Sequence, residues 1–219
     1  MSTPAKAMLL RELERMAVMC SPEQADRLVR FGDILLQWNK TYNLTALRSA
    51  DAVLTHHLLD SASLVPAIAR WAPEATRVLD VGSGGGLPSI PLAILRPDLV
   101  VEAVDTVKKK ATFLTQAAID LRLTNFRAHH ARVEKLNRPG FDVVTSRAFA
   151  SLADFTSLSA SLLKPGGLWL AMKGMKPEEE LAELPAGIKV LAVESLYVPA
   201  LEDEKRHVVV MTPQSSLGD

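Results

Sequence analysis

The chain has 219 residues with 25 basic and 25 acidic side chains, so its formal charge is zero. Hydrophobic residues make up 48% and charged residues 23%, a balance that excludes wholesale disorder. Its one cysteine, Cys20, excludes an intramolecular disulfide and a cysteine-based zinc site, and no run of 18 apolar residues is present to span a membrane.

Residues 1–75 carry 8 basic and 8 acidic side chains, residues 76–150 carry 11 and 7, and residues 151–219 carry 6 and 10. Only the middle third, at +4, offers a basic face to a polyanion. Arg11, Glu12, Glu14 and Arg15 interrupt the helical rhythm of the first 20 residues and leave no apolar signal-peptide core. With a single cysteine, the expected location is the cytoplasm.

Residues 4–70 read as helices. Ser21-Pro22 makes an N-cap with proline at the first helical position and Gln24 near the third. Ala25, Leu28, Val29, Gly32, Leu35, Leu36 and Trp38 then recur at three-to-four spacing, an amphipathic helix that Asn43-Leu44-Thr45 ends as a loop. Another helical stretch runs from Ala50 to Arg70. Cys20 is assigned to an N-terminal helix.

From residue 76 the period changes. Strands are expected at Thr76–Val81, Val100–Val104, Phe126–His129, Phe141–Ser146 and Leu168–Met172. Helices are expected at Leu87–Leu95, Lys108–Leu121 and Ser151–Leu163. This alternation means right-handed βαβ units and a parallel sheet. Ile188–Val198 and Arg206–Met211 are joined by a short loop and read as an antiparallel pair. The expected fold is thus α/β, a seven-stranded, mostly parallel sheet with its last strand antiparallel. Residues 1–70 form a helical cap, 71–212 the core, and 213–219 a flexible tail.

The strongest local signal is Asp80-Val81-Gly82-Ser83-Gly84-Gly85-Gly86, between a strand and a helix. Glycines permit a sharp turn and close backbone approach to a ligand. The dinucleotide fingerprint fails here, because the sixth position is Leu87 or Ser89 rather than glycine, and no GK[ST] follows. A ligand with an amino-acid portion and a nucleoside but no pyrophosphate remains, and S-adenosylmethionine fits. Asp80 is placed for its ammonium. Asp105, ending the next strand, is placed for both ribose hydroxyls. Val133-Glu134 follows the third strand, where the adenine edge belongs.

On the acceptor side, Ser146-Arg147-Ala148-Phe149 stands where amino-nitrogen methylases carry an (Asp/Asn/Ser)-Pro-Pro-(Tyr/Phe) loop. Cys20 is too remote to attack a pyrimidine carbon. A guanine ring nitrogen, N(7), brings its own lone pair and needs no general base, so the enzyme's task is positioning. Arg147 stays protonated and can donate to a guanine carbonyl or a phosphate. The adjacent histidines His56-His57 cannot both face one metal from a helix, and no metal site is expected. His129-His130 read as surface residues. Trp38 and Tyr42 read as packing residues, and Lys108-Lys109-Lys110 as a phosphate contact at a helix start.

The segments WNKTYNLTAL, HHLLDS, VLDVGSGGGLPSIPLAI, the acid of VDTVKKKATFL, ARVE, SRAFA, Lys173-Gly174 and VPALEDEKRHVVV cover nearly the whole chain. Together they resemble the bacterial glucose-inhibited division B family, methyltransferases that modify guanine N(7) in 16S ribosomal RNA. The resemblance implies a class I, Rossmann-like core with an N-terminal helical cap. It implies cofactor contacts at Gly82, Leu87, Val133, Glu134 and Arg147, beside Asp80, Gly84, Gly86 and Asp105 of the loop reading. It also implies RNA contacts at Asn43, Asp60, Arg132 and Lys173, with Arg147, Lys173 and Asn43 as the catalytic candidates. Gly85 departs from the alanine or proline of many relatives, which frees the loop. The expected partner is 16S rRNA in the small ribosomal subunit, met by a monomer with no membrane association. A small-molecule methyltransferase, a nucleotide-binding dehydrogenase and a non-catalytic RNA-binding module are the competing readings; the missing glycine opposes the second, and the intact acids and glycines oppose the third.

Overall fold

The computed structural model describes residues 3–147 and 149–214. Its strands are β1 (Arg77–Val81), β2 (Val100–Asp105), β3 (Phe126–His130), β4 (Phe141–Ser146), β5 (Leu163–Lys173), β6 (Ile188–Ser195) and β7 (His207–Pro213). They form one sheet in the order β3-β2-β1-β4-β5-β7-β6. The first five pair in parallel, and β7 is antiparallel to both β5 and β6.

Strand residues alternate between two apolar faces, which is why the parallel strands read as nearly continuous apolar runs. Val78, Val101, Ala103, Val143, Leu170 and Val210 enter one core, and Leu79, Val104, Val144, Trp169 and Val209 the other. The helices are α1 (Thr3–Arg15), α2 (Pro22–Tyr42), α3 (Ala50–Val53), α4 (Asp60–Ala62), α5 (Leu64–Trp71), α6 (Ser89–Leu95), α7 (Lys108–Asp120), α8 (Leu152–Ser159) and α9 (Glu178–Ala182). Leu9, Phe31, Leu58 and Ile68 of the N-terminal helices share the first core with Ile90 and Phe113. The second core holds Leu152 and Phe155 of α8, with Leu181 of α9 against it. The N-terminal segment therefore packs into the sheet's own core.

The start of α2 is a reciprocal capping box. The Gln24 backbone N–H donates to Ser21 Oγ at 3.2 Å, and the Ser21 N–H donates to Gln24 Oε1 at 2.8 Å. Such a cap contributes about 1 kcal/mol. The helix ends at Asn43, a left-handed residue with φ 50°. Trp38 meets Phe113 of α7 edge-on at 5.5 Å and Tyr42 at 5.2 Å, so it joins α2 to α7. Between α3 and α4 the backbone widens into a π-helical turn, Leu54–Leu59.

Several expectations are corrected. β5 begins at Leu163 rather than Leu168, because Phe141 pairs with Leu163 before a bulge resets the register to Val143–Leu168. The helix expected from Leu87 begins at Ser89, and that expected to Leu163 ends as a 3₁₀ turn, Ala160–Leu162. Cys20 lies in the irregular connection before the Ser21 cap, outside any helix. His130 is exposed as expected, but His129 is half-buried: its Nε2 lies 2.6 Å from buried Glu102, which Arg77 and Arg138 also pair. Of the expected tail, Pro213 pairs with Ile188 and Gln214 donates to Gly187 O, while residues 215–219 lie outside the described residues.

Candidate active site

In the strand order, β1 connects toward β2 on one side while β4 lies on the other, so the connections diverge beyond the carboxyl ends of β1 and β4. Open α/β sheets hold ligands at such a switch point. The glycine loop follows β1 there, and Arg147 follows β4.

Gly82, Gly84 and Gly86 all have positive φ, at +72°, +56° and +78°. At Gly86 a side chain is excluded twice over, since a Cβ would also stand 2.7 Å from Ile90 Cδ1. At Gly84 the nearest atom to a Cβ is Gly82 O at 3.8 Å, so there the backbone conformation alone selects glycine. Gly85 is buried, and a Cβ would approach Leu35 Cδ1 to 3.1 Å, which suits the smaller residue at this position.

Asp105 holds the loop. Its Oδ2 accepts from the Gly84 N–H at 3.0 Å and its Oδ1 from the Val107 N–H at 2.8 Å. Each carboxylate oxygen keeps further lone-pair capacity for a ligand hydroxyl. Asp80 is completely buried, and Ser83 Oγ donates to its Oδ2 at 2.6 Å. Its Oδ1 has no hydrogen-bond partner among the described residues. Burial pushes the Asp80 carboxyl up to about 7, against the opposing pull of the neighbouring Ser83 and Ser89 donors. Ser146 Oγ, at the end of the neighbouring strand, is a second buried polar atom without a partner. Buried polar atoms are rarely left so, and two at one switch point mark a place built for a polar ligand.

A cavity of about 580 Å³ opens beside the loop, lined by Gly82, Val104, Asp105, Val107, Lys110, Val133, Glu134 and Phe149 among others. Four of the expected cofactor residues, Gly82, Asp105, Val133 and Glu134, thus meet in one space. Arg132 lines the same cavity, with its side chain largely exposed. Leu87 and Gly86 are buried and line neither this cavity nor the next.

A second cavity, about 290 Å³, contains Asp60, Arg147 and Lys173, together with His56, Arg206 and His207. Asp60 is buried between two arginines: Arg147 Nη1 donates to its Oδ2 at 3.2 Å and Arg206 Nε to its Oδ1 at 2.9 Å. Arg147 Nη1 also donates to His56 O at 3.1 Å and lies 3.3 Å from His57 Nδ1. Lys173 Nζ is paired with Glu180 of α9 at 2.8 Å. Asn43 joins neither cavity; it is exposed, and its Oδ1 accepts from Arg48 Nη2 at 3.1 Å. Sequence reasoning missed Arg206 and Glu180. A motif within VPALEDEKRHVVV was recognised, but nothing local reveals that Arg206 reaches a carboxylate 146 residues earlier.

The family model described as rRNA small subunit methyltransferase G matches residues 24–209. The chain belongs to this family. A protein of that name from Ralstonia nicotianae is 54% identical over 197 residues, covering 88% of each chain. Another, from Leptothrix cholodnii, is 47% identical over 213 residues, covering 97% of each. Among solved structures, a SAM-dependent methyltransferase from Leishmania major matches with TM-score 0.60 and 16% identity over 83% of both chains. TrmN from Thermus thermophilus matches with TM-score 0.54 and 24% identity, over 73% of this chain and 53% of that one. These structures share the fold, which is that of SAM-dependent methyltransferases, and in this chain the seventh strand is antiparallel.

For a member of this family the cofactor is S-adenosylmethionine, and the residues present fit it. The unpartnered Asp80 Oδ1 and Ser146 Oγ, both buried and lining neither cavity, leave unfilled hydrogen-bonding capacity at the switch point. When bound, S-adenosylmethionine supplies a methyl group on a sulfonium, electrophilic without further activation.

Proposed function

We propose that this protein transfers the methyl group of S-adenosylmethionine to the ring nitrogen N(7) of a specific guanine in 16S ribosomal RNA. Asp80 receives the ammonium, Asp105 the ribose hydroxyls and Glu134 the adenine edge, with Gly82, Gly84, Gly86, Leu87 and Val133 shaping the pocket. Arg147 aligns the base or the methionine carboxylate. Asn43, Asp60, Arg132 and Lys173 form the polar surround of the RNA.

The observation that carries this reading is the match of residues 24–209 to the rRNA small subunit methyltransferase G family, and the imidazole beside Arg147 is in keeping with it. Burial, with the Arg147 charge adding to it, pushes His57 down to about 4. A group of that basicity is a poor proton acceptor at neutral pH. A guanine N(7) acceptor brings its own lone pair and loses no proton, so it suits a site whose imidazole is a poor base. Arg147 cannot act as a base either. What the chain supplies is alignment and exclusion of water.

Labelled-methyl transfer to whole small subunits, free 16S rRNA and a panel of small amines and phenols tests this. Label in rRNA supports the reading, and label confined to the small molecules replaces it with a small-molecule methyltransferase. A monomer acting in the cytoplasm belongs to the same reading, and sedimentation at working concentration tests the monomer.

A further inference from the structure

Arg147 is held by one nitrogen. Its Nη1 meets His56 O, His57 Nδ1 and Asp60 Oδ2, while Nε and Nη2 have no partner among the described residues. All three contacts come from the π-helical turn and the residue after it, so one short piece of backbone fixes the guanidinium and leaves its other donors uncommitted. π turns within helices recur at functional sites because the extra residue re-aims neighbouring side chains.

The other side of the His57 ring faces a different element. Its Nε2 lies 2.6 Å from Thr45 Oγ1, in the loop after α2. That loop is itself pinned: the Thr45 N–H donates to buried Asn39 Oδ1 at 2.9 Å, and Asn39 Nδ2 donates to Leu47 O at 2.9 Å. Arg48 then bridges Thr45 O at 2.7 Å and Asn43 Oδ1 at 3.1 Å. A continuous chain of polar contacts therefore runs from Arg147 through His57, Thr45 and Arg48 to Asn43; its first link is a hydrogen bond when Nδ1 is unprotonated, and otherwise Nδ1 donates to His56 O at 2.9 Å.

We propose that His57 is a positioning residue, the link that sets Arg147 and the Asn43–Thr45 loop in register for methyl transfer. Either neutral tautomer satisfies the ring, because the Thr45 hydroxyl can donate or accept and Nδ1 faces both a carbonyl and an arginine N–H. A doubly protonated ring would set a second positive charge against Arg147. The downward push on His57, from burial and then from Arg147, keeps the ring neutral. Because coupling through a chain of contacts needs a coupling measurement, the test is a double-mutant cycle.

This inference rests on the reading that Arg147 serves the reaction, and the cycle separates the two. Single-turnover methylation of small subunits is measured at saturating cofactor for wild type, His57→Ala, Arg147→Ala and the double variant. The proposal expects His57→Ala to be slower by about tenfold or more, the scale of one or two lost hydrogen bonds. The double variant is expected to be no slower than Arg147→Ala alone. Independent, multiplying losses would make His57 a merely structural residue and overturn the proposal, as would a wild-type rate for His57→Ala. A wild-type rate for Arg147→Ala would instead overturn the underlying site. Thr45→Val removes the partner hydroxyl at nearly constant volume and carries the same cycle with Arg147→Ala if His57→Ala does not fold. Its additivity, or a wild-type rate, overturns the proposal equally.

Discussion

Replacing Asp105 by asparagine tests the cofactor pocket without emptying it. The carboxylate is 5% exposed and accepts from two backbone N–H groups, Gly84 at 3.0 Å and Val107 at 2.8 Å. Asparagine has one oxygen, so one of these donors must face an amide NH₂ group. Losing a hydrogen bond to a charged acceptor costs about 1.5–3 kcal/mol. For a protein of this size each kcal/mol lowers the melting temperature by about 2–4 °C, so a fall of about 3–12 °C is expected. The ribose hydroxyls lose their anionic acceptor at the same time, and cofactor affinity should drop by about 10- to 100-fold, equivalent to about 1.4–2.7 kcal/mol. Thermal melts and titration calorimetry with S-adenosylmethionine read the two effects separately. Asp105→Ala should melt lower still, because both backbone donors lose their acceptor. Wild-type affinity in folded Asp105→Asn would remove Asp105 from the pocket, and a wild-type melting temperature would refute its hold on the glycine loop.

Gly86→Ala should destabilise the protein and weaken cofactor binding, since the new Cβ meets Ile90 and Leu114 at a positive φ; melts and calorimetry matching wild type would refute this reading of the loop. Asp80 and His57 should have opposite effects on stability against pH. The Asp80 carboxyl is raised from 3.8 to about 7, so its contribution is present below 3.8 and lost as pH rises toward 7. His57 is lowered from 6.5 to about 4, so stability is lost as pH falls from 6.5 toward 4. Urea unfolding between pH 4 and 7 should show wild type gaining on Asp80→Asn as pH falls and losing ground to His57→Gln; parallel curves would contradict both assignments. RNA binding should weaken as salt rises, because a neutral protein can hold a polyanion only through local cations, and a flat salt response would argue for a small-molecule acceptor.

Much of the fold was legible because its signals are local. VLDV, VVEAVD and FDVVTS are mostly apolar, as strands buried on both faces tend to be, and the Ser21-Pro22 cap announces α2. The glycine loop announced itself likewise, by spacing and by the acids that follow. What stayed hidden depends on distant partners or on backbone register. LTHHLL reads as ordinary helix, and nothing in its composition distinguishes π from α hydrogen bonding. Glu102 looks misplaced in a buried strand until Arg77, His129 and Arg138 surround it; their pull lowers its carboxyl despite burial, which acts the other way. Asp60 was named from a motif, but its place between Arg147 and Arg206 belongs to the folded chain alone.

The identity of the methylated atom tests the central claim most directly. Small subunits are methylated with labelled cofactor by wild type and by folded Arg147→Ala. The 16S rRNA is then reduced with borohydride and treated with aniline, which cleaves the strand at 7-methylguanosine. The account predicts cleavage at one guanine in the wild-type reaction and strongly reduced cleavage with Arg147→Ala. Label on another atom, or undiminished cleavage with Arg147→Ala, would contradict it.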